Sequence, residues 1–396
     1  MVMNILFYLH GDCRPEVGGI ERVTDVLCSY FKSKGHNCFL IYQEEADPQL
    51  KRTEFNAYYF LPSNSPAQIA EIIKIEKIDI IINQEEHYVT SQIYDAVNLS
   101  GRCCKIVFAY HNTPLEAAKA SVDFNKILKS YKTDHRLSDL IKLICYPIYR
   151  AYNLNSIRKQ YKETLQKSNV NVMLANCFIN KWYKAARVRE SQRKLLAPVI
   201  AINNPLSIDS KNNVIDFHIK EKRVLILSRL YEPQKRILSA LKIWRELEKD
   251  SCYDEWKLDI VGDGPDKVIY EKYASKYLKR VTFYGRQVPK PYYMRSSIYL
   301  MTSAYEGWGM TLVEAMHYGC VPIVFDSFAS LHDIIQSEMS DCIIENGNNI
   351  EYLSVLKDLM NNESKRFELA NICKESTKRF SVNQIGEKWI TLFNSL

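Results

Sequence analysis

The segment Ser303-Ala304-Tyr305-Glu306-Gly307-Trp308-Gly309-Met310-Thr311-Leu312-Val313-Glu314 sets two carboxylates eight residues apart around a glycine-flanked turn. An apolar run precedes it and helical spacing follows, so the turn opens into a helix. Unbonded N–H groups and the positive end of the helix dipole converge at such a start, which attracts phosphate. Gly307 and Gly309 have no side chains, so a ligand can come close to the backbone. Glu306 and Glu314 can then accept hydrogen bonds from hydroxyls at opposite ends of an extended ligand. The competing reading is a plain strand–turn–helix with two solvated glutamates.

Other groups with chemistry lie at similar places. Arg229 and Lys235 follow the apolar run Arg223 to Ser228. Two cations there can neutralise a diphosphate, although an Arg and a Lys six apart also fit ordinary surface charge. Gly262-Asp263-Gly264-Pro265 closes the run Trp256 to Val261, and Arg286 comes after Gly285 at the end of another. Near the start, Gly18 and Gly19 separate a strand-like run from a helical one. His10, His87 and His111 all lie near strand ends, where open α/β sheets bind ligands. Each is also compatible with a purely structural role.

Alternating elements must position these groups. Strands are predicted at Asn4 to Leu9, Cys38 to Tyr42, Ile78 to Asn83 and Lys105 to Tyr110, with helices at Ile20 to Lys34, Pro66 to Glu76 and Ser91 to Leu99. The pattern restarts with strands at Arg223 to Ser228, Trp256 to Val261, Val281 to Tyr284, Ile298 to Thr302 and Val321 to Phe325. Ile237 to Asp250 and Leu312 to Tyr318 are the helices of that half. Such alternation implies α/β architecture with parallel sheets. Pro205 and several Asn and Ser residues place a junction within Ala201 to Asp216. The expected division is residues 1–204, residues 205–380 and a closing amphipathic helix over 381–396, marked by Ile385, Trp389 and Leu392.

Residues 117–167 interrupt this scheme with eleven Lys or Arg against four Asp or Glu. Leu137, Leu140, Ile141, Ile144 and Ile148 form one helical stripe there, interrupted by Pro147 and flanked by Arg136, Lys142 and Arg150. A basic amphipathic stretch of this kind can lie on an anionic membrane surface. Equally, it can be a helical pair packed on its own domain with a solvated basic face.

Bulk properties exclude several classes. At 396 residues the chain fits two domains of common size. No apolar run approaches the roughly 20 residues of a membrane span. Met1 to Tyr8 has no basic leader, so a cytoplasmic location is expected, peripheral on the inner face of the membrane if residues 117–167 bind it. None of the eleven cysteines forms a C-x-x-C pair, which points to reduced thiols rather than a metal or disulfide framework. The net charge of +7 permits an anionic partner without demanding one, and nothing calls for nucleic acid. No Asp-x-Asp occurs, so neither a metal nor a cofactor is expected.

Taken together, Glu306 to Glu314 resembles the E-x7-E motif of family-4 glycosyltransferases. Arg229 with Lys235, the Gly262 turn and Gly18-Gly19-Ile20-Glu21-Arg22 resemble that family's other motifs, in its order. The resemblance spans most of the chain, residues 117–167 least clearly. It implies the GT-B architecture, two Rossmann-like domains facing across a cleft, and a retaining transfer from a nucleotide-sugar donor, UDP-linked by preference. By similarity Arg229 and Lys235 contact the donor diphosphate, Glu314 the ribose and Glu306 the sugar near its reacting carbon. The N–H groups of Met310, Thr311 and Leu312 cradle phosphate, within the loop of Gly307, Trp308 and Gly309. Gly18 and Gly19 bring backbone close to the reaction centre. His111 takes the place of a histidine that touches the donor sugar, and Arg286 is a candidate for the base pocket. The implied acceptor is a hydroxyl of a glycan or lipid-linked glycan in surface polysaccharide or lipopolysaccharide synthesis. Two other classes stay open: a catalytically silent partner of a transferase complex, and an epimerase or a pyridoxal-phosphate-dependent phosphorylase built on two similar domains.

Overall fold

Long apolar runs with no alternation are the signature of strands buried on both faces, and the first sheet is built from them. In the computed structural model, residues 2–63, 65–84, 87–207 and 220–396 are described, with backbone alone at 117, 120, 121, 125 and 129. The first seven strands are β1 (Asn4–Tyr8), β2 (Asn37–Tyr42), β3 (Ala57–Phe60), β4 (Ile80–Asn83), β5 (Lys105–Tyr110), β6 (Val170–Met173) and β7 (Val199–Ala201). They form one parallel sheet in the order β3-β2-β1-β4-β5-β6-β7. Every residue of β4 and β6 is buried, so both faces are covered.

The second sheet has, among the described residues, six parallel strands: β8 (Glu221–Leu227), β9 (Lys257–Val261), β10 (Val281–Phe283), β11 (Ser296–Met301), β12 (Val321–Asp326) and β13 (Ile343–Glu345). Their order is β10-β9-β8-β11-β12-β13. Both sheets reverse direction of growth once, the first between β1 and β4, the second between β8 and β11. Crevices outside the strand ends at these switch points are where such sheets bind ligands.

Contacts divide the chain into two compact units, Met1–Pro205 with Val382–Leu396, and Leu206–Ser381. The sequence-predicted junction over 201–216 lies partly outside the described residues. The final helix, Val382–Ser395, packs on the helix Gly19–Ser33 of its unit, with Phe393 against Phe31 at 5.4 Å. Tyr30 and Lys34 both bond Glu387 there, the lysine at 2.6 Å. Ile385 and Trp389 are buried, whereas Leu392 is half-buried and Phe393 takes the inner position.

Residues 117–167 are not a helical pair. Four helices occupy the region: Glu116–Ser121, Phe124–Asp134, Leu137–Ile144 and Tyr146–Lys167. Pro147 sits in the first turn of the last, where its missing N–H removes no helical bond. Most of the apolar stripe is not packed inward: Leu137, Ile141, Ile144 and Ile148 are 70%, 55%, 72% and 74% exposed, and Leu140 is half-buried. Among the described residues no helix is long and apolar enough to cross a membrane. All eleven cysteines are free thiols and seven are buried.

Candidate functional site

In the second unit, the loops after β8, β9, β10 and β11 gather at one edge of the parallel sheet. Lys235 closes a short helical turn, Glu232–Lys235, after β8, and Glu306 lies in the loop after β11. Lys235 Nζ donates to Glu306 Oε1 at 2.6 Å, a pair that bridges the β8/β11 switch point. The two side chains are only 14% and 9% exposed. Arg236, in the left-handed region with φ 47°, donates to the carbonyls of Thr302 and Ser303 and fixes one loop against the other. Thr302 Oγ1 returns bonds to the Lys235 and Arg236 carbonyls. A buried network of this type holds its members rigidly because each lost bond is costly.

Gly309, with φ +81°, turns the chain into the helix Met310–His317. The first N–H groups of a helix have no carbonyl of their own turn to reach. Leu312 departs from its sequence reading here: its N–H already donates to Gly309 O at 3.0 Å, and its side chain is wholly buried. Met310 and Thr311 supply the first two amides of that helix. Tyr299 OH lies 2.8 Å from Thr311 Oγ1 and 3.1 Å from Leu227 O, joining this helix to the end of β8.

Neither glutamate is solvated. Glu306 is 7% exposed and Glu314 1%. Glu314 Oε1 accepts from Ser207 Oγ at 2.6 Å, and Oε2 from Tyr293 OH at 2.9 Å. Trp308 is buried edge-on against Phe380, centroids 5.2 Å apart, and Ser330 Oγ donates to the Gly307 carbonyl. Gly262 sits at the end of β9 with φ +138°, where a Cβ would stand 1.9 Å from Ser228 O. No other residue fits between these strand ends. Arg229 is exposed after β8, with its guanidinium 5.8 Å from the Tyr231 ring, and Arg286 is exposed after β10.

The first unit has its own bridge. Gly18 caps the helix Gly19–Ser33 that follows β1, and Gln84 follows β4. Thr24, on that helix, donates to Gln84 Oε1 at 2.8 Å, and Gln84 Nε2 lies 3.0 Å from His111 Nε2 at the end of β5. With the Gln84 amide donating, His111 Nε2 is the acceptor and the ring is neutral. Burial lowers its pKa from 6.5 to about 4. The ring borders a small cavity with Val23, Leu27, Asn203, Asn204 and Trp389. The rivals sit elsewhere: His10 is exposed beside Gln43 and Glu44, and His87 is buried edge-on to Tyr161.

Sequence reasoning missed Thr24, Gln84, Ser207 and Tyr293. Gln84 carried a signal, a polar residue ending the run Ile80-Ile81-Ile82-Asn83. The others carried none, because their partners are distant in the chain.

Residues 209–380 match the family model of glycosyl transferases group 1. The amylovoran biosynthesis glycosyltransferase AmsD of Erwinia amylovora is 29% identical over 202 residues, 50% of this chain and 55% of that protein. A Campylobacter jejuni alpha-1,4-N-acetyl-D-galactosaminyltransferase, named for a PP-undecaprenol-linked glycan, is 26% identical over 200 residues, 50% and 54% of the two chains. The chain thus spans little more than half the length of these curated relatives. Anabaena Alr3699/HepE in complex with UDP superposes with a TM-score of 0.71 at 16% identity, over 100% of both chains. These structural neighbours and the two parallel sheets give the chain the GT-B fold. Within that fold, residues 209–380 are the part similar to the glycosyl transferases group 1.

Proposed function

We propose that this chain is a retaining, metal-independent glycosyltransferase of family 4, with Glu306 and Glu314 as its E-x7-E pair. It moves a hexosyl or N-acetylhexosaminyl group from a UDP-linked donor to a hydroxyl of a glycan or lipid-linked glycan, in surface polysaccharide or lipopolysaccharide synthesis. The observation that carries the reading is the Lys235–Glu306 pair at the β8/β11 switch point, beside the helix start at Met310. The match to the group 1 family, and the relatives named for amylovoran and undecaprenol-linked glycan synthesis, support the substrate class. A neighbour solved with UDP supports the nucleotide.

The bond between the anomeric carbon and the donor phosphate oxygen breaks, and its electron pair leaves with the diphosphate. Arg229, Lys235 and the amides of Met310 and Thr311 stabilise that charge, preorganised before reaction. Glu306 steadies the positive sugar ring, and Glu314 accepts from the ribose hydroxyls. Gly262 and Gly307 give the diphosphate room against the backbone, and Arg286 borders the base. The acceptor oxygen bonds the anomeric carbon on the face the phosphate left, and its proton passes to the departing phosphate. In the first unit, the neutral His111 ring, its Nε2 already taken by Gln84, offers Nδ1–H as a donor to a sugar hydroxyl, and Gly18 and Gly19 lie in that unit's first loop.

Incubation of the purified chain with radiolabelled UDP-sugars and undecaprenyl-linked glycans tests this directly. Label transferred to the acceptor, or donor hydrolysed in its absence, is the expected result. Neither transfer nor hydrolysis with any donor would mark the chain as a silent partner.

A further inference from the structure

Residues 117–167 carry eleven basic and four acidic residues, a surplus of seven, and the whole chain's formal charge is +7. The rest of the molecule is therefore balanced, and the entire positive excess sits on this one helical region. Its acids are also spent internally. Asp123 caps the helix Phe124–Asp134, and Asp134 lies 3.1 Å from Arg136. Asp139 is buried, accepting from Ser130 Oγ at 2.8 Å and Lys142 Nζ at 2.7 Å, and Glu163 lies 3.9 Å from Lys159.

The same region leaves a row of large apolar side chains in water. Leu137, Ile141 and Ile144 on the helix Leu137–Ile144, and Ile148 and Tyr152 on the helix Tyr146–Lys167, follow one another at three- and four-residue steps and are 55–74% exposed. Arg136 and Arg150 are exposed on the helices that bear this ridge, and Lys126 and Lys132 on the neighbouring helix Phe124–Asp134. A soluble surface rarely leaves contiguous large aliphatics unpaired.

We infer that this ridge is an interfacial docking face for an anionic lipid bilayer. The aliphatic side chains enter the headgroup–acyl boundary and the flanking cations meet lipid phosphates. Charge selects this occupant. A second copy seated ridge to ridge would bring two segments of surplus +7 together, which like-charge repulsion opposes. An anionic surface satisfies the apolar ridge and the basic flanks at once. The inference does not require the donor site to work, since docking is measured without nucleotide.

The test is co-sedimentation of the full chain with vesicles of phosphatidylcholine alone or mixed with phosphatidylglycerol, together with its solution mass without lipid. Binding to the anionic vesicles should exceed binding to neutral ones at least about tenfold and weaken as salt shortens the screening length. Ile144→Ser with Ile148→Ser should lower it about tenfold, as should Lys126→Gln, Lys132→Gln and Arg150→Gln combined, with melting temperature and monomeric mass unchanged. Equal binding to both vesicle types, or wild-type binding by both variants, overturns the proposal. So does a dimer that the isoleucine variant dissociates, because a second copy would then be the occupant.

Discussion

Ser207 Oγ donates to Glu314 Oε1 at 2.6 Å, the carboxylate oxygen assigned to a ribose hydroxyl. Tyr293 OH holds the other oxygen at 2.9 Å. A ribose that bonds this oxygen competes with Ser207 for it, while Tyr293 keeps the carboxylate in place. Ser207→Ala should tighten UDP binding several-fold by removing the competitor's charge-assisted hydrogen bond. Tyr293→Phe should weaken it. Calorimetric titration of both variants decides, and weaker binding by Ser207→Ala would count against the ribose assignment.

The Lys235–Glu306 pair makes a separate prediction. Lys235→Ala and Glu306→Ala should each cut sugar transfer by orders of magnitude while the fold persists. Each leaves its partner enclosed without its counter-ion, so stability should fall by about 1–3 kcal/mol. The double variant should lose less than the two singles added, because the residues touch. Transfer rates and denaturant melts of the three variants check this, and near-normal activity in either single variant contradicts it.

Acid sensitivity follows from two half-buried rings. Burial lowers His111 and His317 from 6.5 to about 4. Above pH 6.5 both are neutral folded and unfolded, and neither affects stability. As pH falls from 6.5 toward 4, the unfolded chain binds protons that the folded chain refuses, so stability drops across that window. Melting temperature should decline from pH 6.5 to 4, and His111→Asn should flatten the slope. A flat profile would contradict the enclosure of these rings.

Gln84 should act through His111. It holds Nε2 at 3.0 Å and is itself held by Thr24. Gln84→Leu should lower kcat more than it raises KM and move the acid limb of the rate profile, because the ring loses its fixed tautomer. Unchanged pH dependence would reduce Gln84 to packing.

EDTA should leave transfer unaffected, because Arg229, Lys235 and the helix start are assigned the charge that a divalent ion would otherwise carry. A strict requirement for an added divalent cation would refute that assignment.

Much of the fold was legible because fully buried parallel strands are unbroken apolar runs. Lys105–Tyr110 was read to the residue, and Asn4–Tyr8 within one. Four strands of three or four residues escaped: Ala57–Phe60, Val170–Met173, Val199–Ala201 and Ile343–Glu345. The ridge of residues 137–148 was visible as a stripe, but not which way it faced, since exposure depends on what the neighbouring helices cover. The loop groups were legible as strand-end residues. Their bonds were not: Ser207 and Glu314 are 107 residues apart, and Gln84 and His111 are 27 apart.

Binding of UDP to the full chain in EDTA, read by calorimetry for wild type, Arg229→Ala and Lys235→Ala, is the most direct measurement. Saturable binding by the wild type, weakened at least about tenfold in each variant, is what a diphosphate held by those two cations requires. No binding by the wild type, or equal affinity in all three proteins, would show that the second unit does not grip a nucleoside diphosphate there.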